Sequence, residues 1–143
     1  MAENRFKGTY PYNLDDRGRL VVPARFRDAF RAGGTVVMWD NDSLALFIPE
    51  DLDAHIAEAM ANASNAQDRL DLQTIFNSDS FDVELDRQGR ILLTNEMKTH
   101  AHIQQAVSLV GNGDHLRIWN PEAWEKAHAQ LWAQRPAIIG RSR

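Results

Sequence analysis

The chain has 143 residues and a formal net charge of −4; that length suits one domain or two small ones sharing a core, and that charge argues mildly against a nucleic-acid partner. Its 43% hydrophobic content is ordinary for a globular protein, and no apolar run approaches the roughly 20 residues of a membrane helix, so no membrane partner is expected. The lack of cysteine excludes disulfides and thiolate metal sites and fits a reducing cytoplasm, and the opening Met-Ala-Glu-Asn-Arg-Phe-Lys-Gly lacks the apolar segment of a signal peptide.

Residues 9–14 have strand-like content with Tyr10 and Tyr12 alternating, and Pro11 restricts them to an edge or a bent strand. Residues 15–18 predict a tight turn: an Asp side chain accepts a hydrogen bond from backbone two residues on, and glycine supplies the positive φ that closes a short hairpin loop with a bulge. Residues 19–22 leave the turn as a second strand. Pro23 suits the first position of a helix, on which Phe26, Ala29 and Phe30 make an apolar stripe, and Gly33-Gly34 stops it. Residues 35–39 and 43–48 read as another hairpin around Asp40-Asn41-Asp42. Pro49 then opens a helix with Leu52, Ile56, Ala59 and Met60 on one face, and residues 66–76 predict a further helix with Leu72, Ile75 and Phe76 inward.

From Phe81 to Asn120 the same order recurs, with Gly111-Asn112-Gly113-Asp114 as the second hairpin loop. Pro121 opens the last helix, with Trp124, Ala127, His128 and Leu131 along it, and the tail after Pro136 is expected to fray. The recurrence is written in the residues themselves. Leu-Asp-Asp-Arg-Gly-Arg-Leu at 14–20 answers to Leu-Asp-Arg-Gln-Gly-Arg-Ile at 85–91, 71 positions later. Leu-Ala-Leu-Phe-Ile-Pro-Glu at 44–50 answers to Leu-Arg-Ile-Trp-Asn-Pro-Glu at 116–122, after a one-residue insertion. A repeat of this kind fixes the architecture before any other reading. The prediction is an α+β fold of two duplicated β-β-α-β-β units packed about a pseudo-two-fold axis, each unit too small for a core of its own. Unit 1 spans 9–51, a helical connection 52–79, unit 2 80–123, and a C-terminal helix and tail 124–143.

Charge is unevenly spread. Between Arg5 and Arg31 seven basic residues face three acids, whereas between Asp40 and Asp71 eight acids face Arg69 alone. The basic stretch surrounds the first turn. An arginine in such a turn suits nucleic acid, because its planar fork binds phosphate or the O6 and N7 of guanine through two parallel bonds, and a neighbouring glycine permits close approach. The residues alone leave a second reading open, in which Asp15–Arg19 and Asp86–Arg90 are structural ion pairs that hold their own turns. Arg25, Arg27 and Arg31 fall on a predicted helix, where a solvated face is the usual role. The five histidines show no metal-ligand spacing, no acid, base and nucleophile set supports an enzyme, and no dinucleotide loop is present. No metal, cofactor or small-molecule substrate is therefore read. Trp119, Trp124 and Trp132 are expected as core or subunit-interface anchors.

These motifs resemble the MraZ family of bacterial transcriptional regulators. The resemblance rests on Asp-x-x-x-Arg at both 15–19 and 86–90, on Arg-Phe-Lys-Gly at 5–8, on Val-Val-Pro-Ala-Arg-Phe-Arg at 21–27, and on Leu109-Val110-Gly111-Asn112 with Ile118-Trp119. It covers about residues 5–130. It implies AbrB-like swapped-hairpin units, ring-shaped homo-oligomers and a cytoplasmic, nucleoid-associated place. It also implies binding to short direct repeats in promoter DNA of the division and cell-wall operon, as a repressor. On that resemblance Arg19 leads the DNA contact with Arg17, Arg5 and Lys7 neutralising phosphates, and Arg90 and Arg87 are the equivalents in unit 2. Asp15, Gly18, Asp86 and Gly89 shape the turns. The second half departs from the family pattern: Thr94 stands where proline is common, and Glu96 makes that copy less basic. The alternative of another class is an oligomeric scaffold or antitoxin-like module whose ligand is a protein.

Overall fold

Two short strands carry the logic of the chain. In the computed structural model, which describes residues 5–142, β1 (Thr9–Asn13) and β2 (Arg19–Val21) flank the first turn but do not pair with each other. A 3-10 helix (Ala24–Phe30), β3 (Gly34–Met38) and β4 (Ser43–Phe47) complete the first unit, and α1 (Pro49–Ala61) and α2 (Ala66–Ser78) make the connection. The second unit is β5 (Ser80–Val83), β6 (Arg90–Leu92), α3 (Asn95–His100), β7 (Ala106–Gly111) and β8 (His115–Trp119), followed by α4 (Pro121–Arg141).

Every strand that opens a unit is donated to the other one. The six-stranded sheet runs β1-β7-β8-β4-β3-β5, antiparallel throughout, and β2 pairs with β6 in a separate two-stranded ribbon. Thus β1 lies against β7 of the second unit and β5 against β3 of the first. The exchange implied by the swapped-hairpin resemblance is present: the two arms of the turn at residues 15–18 pair not with each other but with different strands of the opposite unit. Leu20 faces its repeat equivalent Ile91, and Ala45 faces its equivalent Arg117. Equivalent residues opposite each other at the centre of both ladders define the pseudo-two-fold axis.

Strand alternation divides the apolar residues between two layers. Val36, Leu44, Leu46, Leu116 and Ile118 join the main core with Leu20, Ile91, Phe6 and Phe30. Val37, Ala45 and Phe47 point the other way, where Leu52 and Ile56 of α1 and Phe76 of α2 cover them. Pro11 sits on the sheet edge opposite Ser108, the position where a missing backbone donor costs least.

Three local expectations change. The segment after Pro23 winds as a 3-10 helix rather than an α-helix, with Phe26 and Phe30 buried and Ala29 half-buried. In α2 Leu72 and Phe76 are partly buried, Phe76 against the second apolar layer, whereas Ile75 is exposed. The C-terminal segment does not fray at Pro136. Helix α4 continues through it to Arg141, with Pro136 inside the helix. Arg143 lies outside the described residues. Thr94 caps α3 by accepting from the Met97 N–H at 3.3 Å, in the role proline does not fill here.

His115 is 2% exposed, stacked on Phe47 at 4.6 Å and beside Trp39 at 5.0 Å, with Nδ1 2.7 Å from Asp114. Burial lowers its pKa below the usual 6.5, against the opposing pull of Asp114. A neutral imidazole in the folded state means that the unfolded chain takes up the proton first. Stability is then fully present above pH 6.5 and is lost as pH falls through the lowered value. Thermal melting between pH 7.5 and 5 is expected to show a falling midpoint that is flattened in His115→Gln; an equal slope in both proteins contradicts this assignment. Because β1 and β5 each pair only across the units, residues 1–65 expressed alone are expected not to give a cooperative, monomeric fold in a urea titration.

Candidate nucleic-acid interface

Each turn is built by one aspartate. Asp15 Oδ1 accepts from the backbone N–H of Arg17 at 3.0 Å and of Arg19 at 2.9 Å, and its Oδ2 accepts from Arg19 Nε at 2.7 Å. Asp86 repeats the pattern with Gln88 N–H at 2.9 Å, Arg90 N–H at 3.0 Å and Arg90 Nε at 2.9 Å. Gly18 and Gly89 follow with φ of +79° and +76°, a region that glycine enters without steric cost. The backbone N–H of Arg19, and then the Arg19 guanidinium, hold the Asp15 carboxyl below the usual 3.8, and Arg90 does the same for Asp86. Both carboxylates are therefore ionised at neutral pH, as the ion pairs require.

The swap brings the two turns together. Val22 N–H donates to Gly89 O at 2.8 Å, and Leu93 N–H donates to Gly18 O at 2.9 Å. Arg90 Nη1 reaches Asp15 Oδ2 at 3.3 Å, so one carboxylate is shared by arginines from both units. Arg19 and Arg90 are 28% and 22% exposed in their side chains, neither buried nor fully free. Each aspartate occupies the Nε edge of its arginine, and both terminal nitrogens of Arg19 are left without a partner among the described residues. The structural ion pair and unpaired terminal nitrogens thus coexist in one partly exposed side chain. Arg17 and Arg87 are exposed on the same turns.

Arg5 and Lys7 lie elsewhere. They precede β1 at the end paired with Val110, beside Gly111 and Gly113, whereas the turn follows the other end. A five-residue strand, about 17 Å, separates them from it. Arg5 instead approaches Asp51 at 3.9 Å at the start of α1.

Two further cations stand at the turns: Arg27, expected only on a solvated helix face, and Lys98, which the sequence did not single out. Arg27, from the 3-10 helix of the first unit, packs on Gly89 of the second, its Nε donating to Val22 O at 2.9 Å. Lys98, from α3 of the second unit, lies over Gly18 of the first. The signal that could have found them is the repeat: Arg27 and Lys98 are 71 positions apart, like the turns themselves. Six cations (Arg17, Arg19, Arg27, Arg87, Arg90 and Lys98) therefore meet three carboxylates (Asp15, Asp16 and Asp86), in a chain whose overall balance is acidic. Among the described residues no group of three or more His, Asp or Glu comes together as a metal cluster.

Strand exchange and paired turns define the class: a swapped-hairpin protein in which both exchanging units belong to one chain. The comparisons agree with this duplication. A family model described as "MraZ protein, putative antitoxin-like" matches residues 5–74 and again residues 76–138. The transcriptional regulator MraZ of Thermomicrobium roseum is 35% identical over 137 residues, which are 95% of this chain and 96% of that protein. The protein of the same name from Roseiflexus castenholzii is 32% identical over 141 residues, 94% and 98% of the two chains, and that of Mycolicibacterium gilvum 37% over 123 residues, 85% of each. The chain belongs to the MraZ family.

The glycines give a test of this geometry. A Cβ at Gly89 meets Arg27 Nε at 2.2 Å and Cδ at 2.6 Å, whereas one at Gly18 meets backbone at 3.3 Å and the flexible end of Lys98 at 3.3 Å. Both substitutions carry the left-handed backbone cost of about 1–2 kcal/mol, and only Gly89→Ala also displaces a hydrogen-bonded side chain. Denaturant titration is expected to rank Gly89→Ala below Gly18→Ala in stability; the reverse order contradicts the packing described.

Proposed function

We propose that the protein is a sequence-specific DNA-binding transcriptional regulator whose contact surface is the pair of Asp-x-x-x-Arg turns. The observation that carries this reading is the meeting of both turns across the unit boundary, with the terminal nitrogens of Arg19 left open and Arg17 and Arg87 exposed beside it. The names of the relatives support regulation of transcription. Arginine forks at such a place bind phosphate oxygens or a guanine edge bidentately. The division of labour follows the notion of units at 9–51 and 80–123, a helical connection at 52–79 and a C-terminal segment at 124–143, with one turn per unit. Arg5 and Lys7, at the far end of β1, contact DNA in this reading only along a path longer than the turns themselves.

One pair of turns gives little affinity, and several held on one scaffold gain it through effective concentration. A ring-shaped homo-oligomer repeating by rotation suits short direct repeats in the promoter of the division and cell-wall operon, with repression as the outcome and the nucleoid as the place of action. Leu131, Trp132 and Ile139, exposed on α4, supply apolar surface that supports self-association.

The test is Arg19→Ala, with circular dichroism as the control for folding. Fluorescence anisotropy on the chain's own upstream DNA is expected to show about tenfold weaker binding or more, since a bidentate arginine contact is worth roughly 1–3 kcal/mol. The logarithmic salt slope is expected to become shallower by about 0.9 for each chain engaged. Unchanged affinity and slope in a folded variant reject Arg19 as a contact.

A further inference from the structure

We infer that Arg27 and Lys98 form a second pair of contacts, which clamp the phosphate backbone of a DNA duplex from both sides of the joined turns. The inference rests on the DNA reading above and adds residues that the Asp-x-x-x-Arg signature does not contain.

The first ground is placement. Each cation comes from the helix that follows one turn and lies against the glycine of the other turn, Arg27 on Gly89 and Lys98 on Gly18. The same backbone that receives them is held by the crossed bonds Val22 N–H to Gly89 O and Leu93 N–H to Gly18 O. Absence of a side chain at the two glycines lets these cations sit against the turn, next to the groups proposed to touch DNA. The two cations thus hold repeat-equivalent places, 71 positions apart, one at each turn.

The second ground is what the two positions share. Arg27 makes one hydrogen bond, from Nε to Val22 O, and its terminal nitrogens have no partner among the described residues. The Lys98 ammonium has no hydrogen bond or ion pair there at all. The structural bond of Arg27 thus has no counterpart in the other unit. Charge and position are common to both, and fold support is not. A half-buried cation is usually found with an anion, yet Asp15 and Asp86 are already occupied by Arg19 and Arg90, and Asp16, the remaining carboxylate of the turns, is exposed and makes no ion pair with either cation among the described residues. Phosphates spaced along a duplex are the anions that a symmetric pair of this kind fits. Lysine serves as well as arginine for that purpose, because a phosphate needs only a point charge, whereas base readout favours the arginine fork.

The experiment compares the full-length wild-type protein with Arg19→Ala, Lys98→Gln, Arg27→Gln, the Arg27→Gln/Lys98→Gln double variant and Lys98→Arg. Anisotropy titrations on upstream promoter DNA and on a scrambled duplex are run from 50 to 300 mM salt. Each of the two single glutamine variants is expected to make the salt slope shallower by about 0.9 for each chain engaged, and the double variant by about twice that. The fold-loss in affinity is expected to be equal on promoter and scrambled DNA, as for a phosphate contact, and Lys98→Arg is expected to keep the wild-type slope. Lys98→Gln removes no hydrogen bond, so it remains informative if Arg27→Gln fails to fold. A wild-type protein that binds neither duplex overturns the DNA reading and this inference together. If the wild type binds and Arg19→Ala weakens it while Lys98→Gln leaves the slope intact, the inference alone is overturned. A loss confined to promoter DNA also overturns it, because that is the mark of base readout.

Discussion

Two crossed backbone hydrogen bonds, Val22 N–H to Gly89 O and Leu93 N–H to Gly18 O, are the constraint on which the rest of the molecule depends. Each fixes the turn of one unit to the strand end of the other. With them in place, β2 and β6 pair with Leu20 opposite Ile91, both fully buried on the axis. The first strand of each unit is then committed to the edge of the opposite half-sheet. Neither unit can close its sheet alone, so the duplicated sequence folds as one body with one main core. Charge follows from the same bonds, because only the exchange sets Asp15 within reach of Arg90 and Arg27 against Gly89.

Within the turns, aspartate has a double effect. Its carboxylate replaces backbone partners at two N–H groups and takes the Nε edge of the following arginine. That organises the loop and leaves the terminal nitrogens of Arg19 without a partner among the described residues, and a loop already ordered lowers the ordering cost of any binding. The two copies are not equal. Arg90 is held by Asp86 and Asp15 together, whereas Arg19 has Asp15 alone, so the first turn presents the less restrained guanidinium. The rest of the chain carries the opposite charge, concentrated on α1 and α2, where Arg69 is the lone base between Asp40 and Asp71. An acidic protein can carry a basic cluster because these two groups occupy separate elements.

The residues that the sequence made legible are those whose role is local. Asp15, Gly18, Asp86 and Gly89 announce their turns through side-chain-to-backbone bonding and positive φ, and both appear as expected. Pro11 announced an edge strand, and Pro49 and Pro121 opened helices. The errors arise where a local signal meets a distant partner. The turn at 15–18 was legible as a hairpin loop and the duplication as an exchange between halves, but nothing within the turn says which strands its arms leave for. Ile75 looked inward by periodicity, yet of α2 only Phe76 packs against the second apolar layer and Ile75 is exposed. Pro136 looked like a stop, but α4 runs through it.

Arg5, Lys7, Arg27 and Lys98 show the division most clearly. By sequence distance Arg5 and Lys7 belong near the first turn, and Lys98 belongs to a different half of the protein; in space the first two lie at the far end of β1 and the last lies over Gly18. Duplication, strand periodicity and turn chemistry were determined by the sequence alone, since each depends on residues within a few positions of one another or on a visible repeat. Which cations share a face was decided only by the tertiary structure, because strand exchange is a choice between pairing partners of equal local propensity that the burial of one common core resolves.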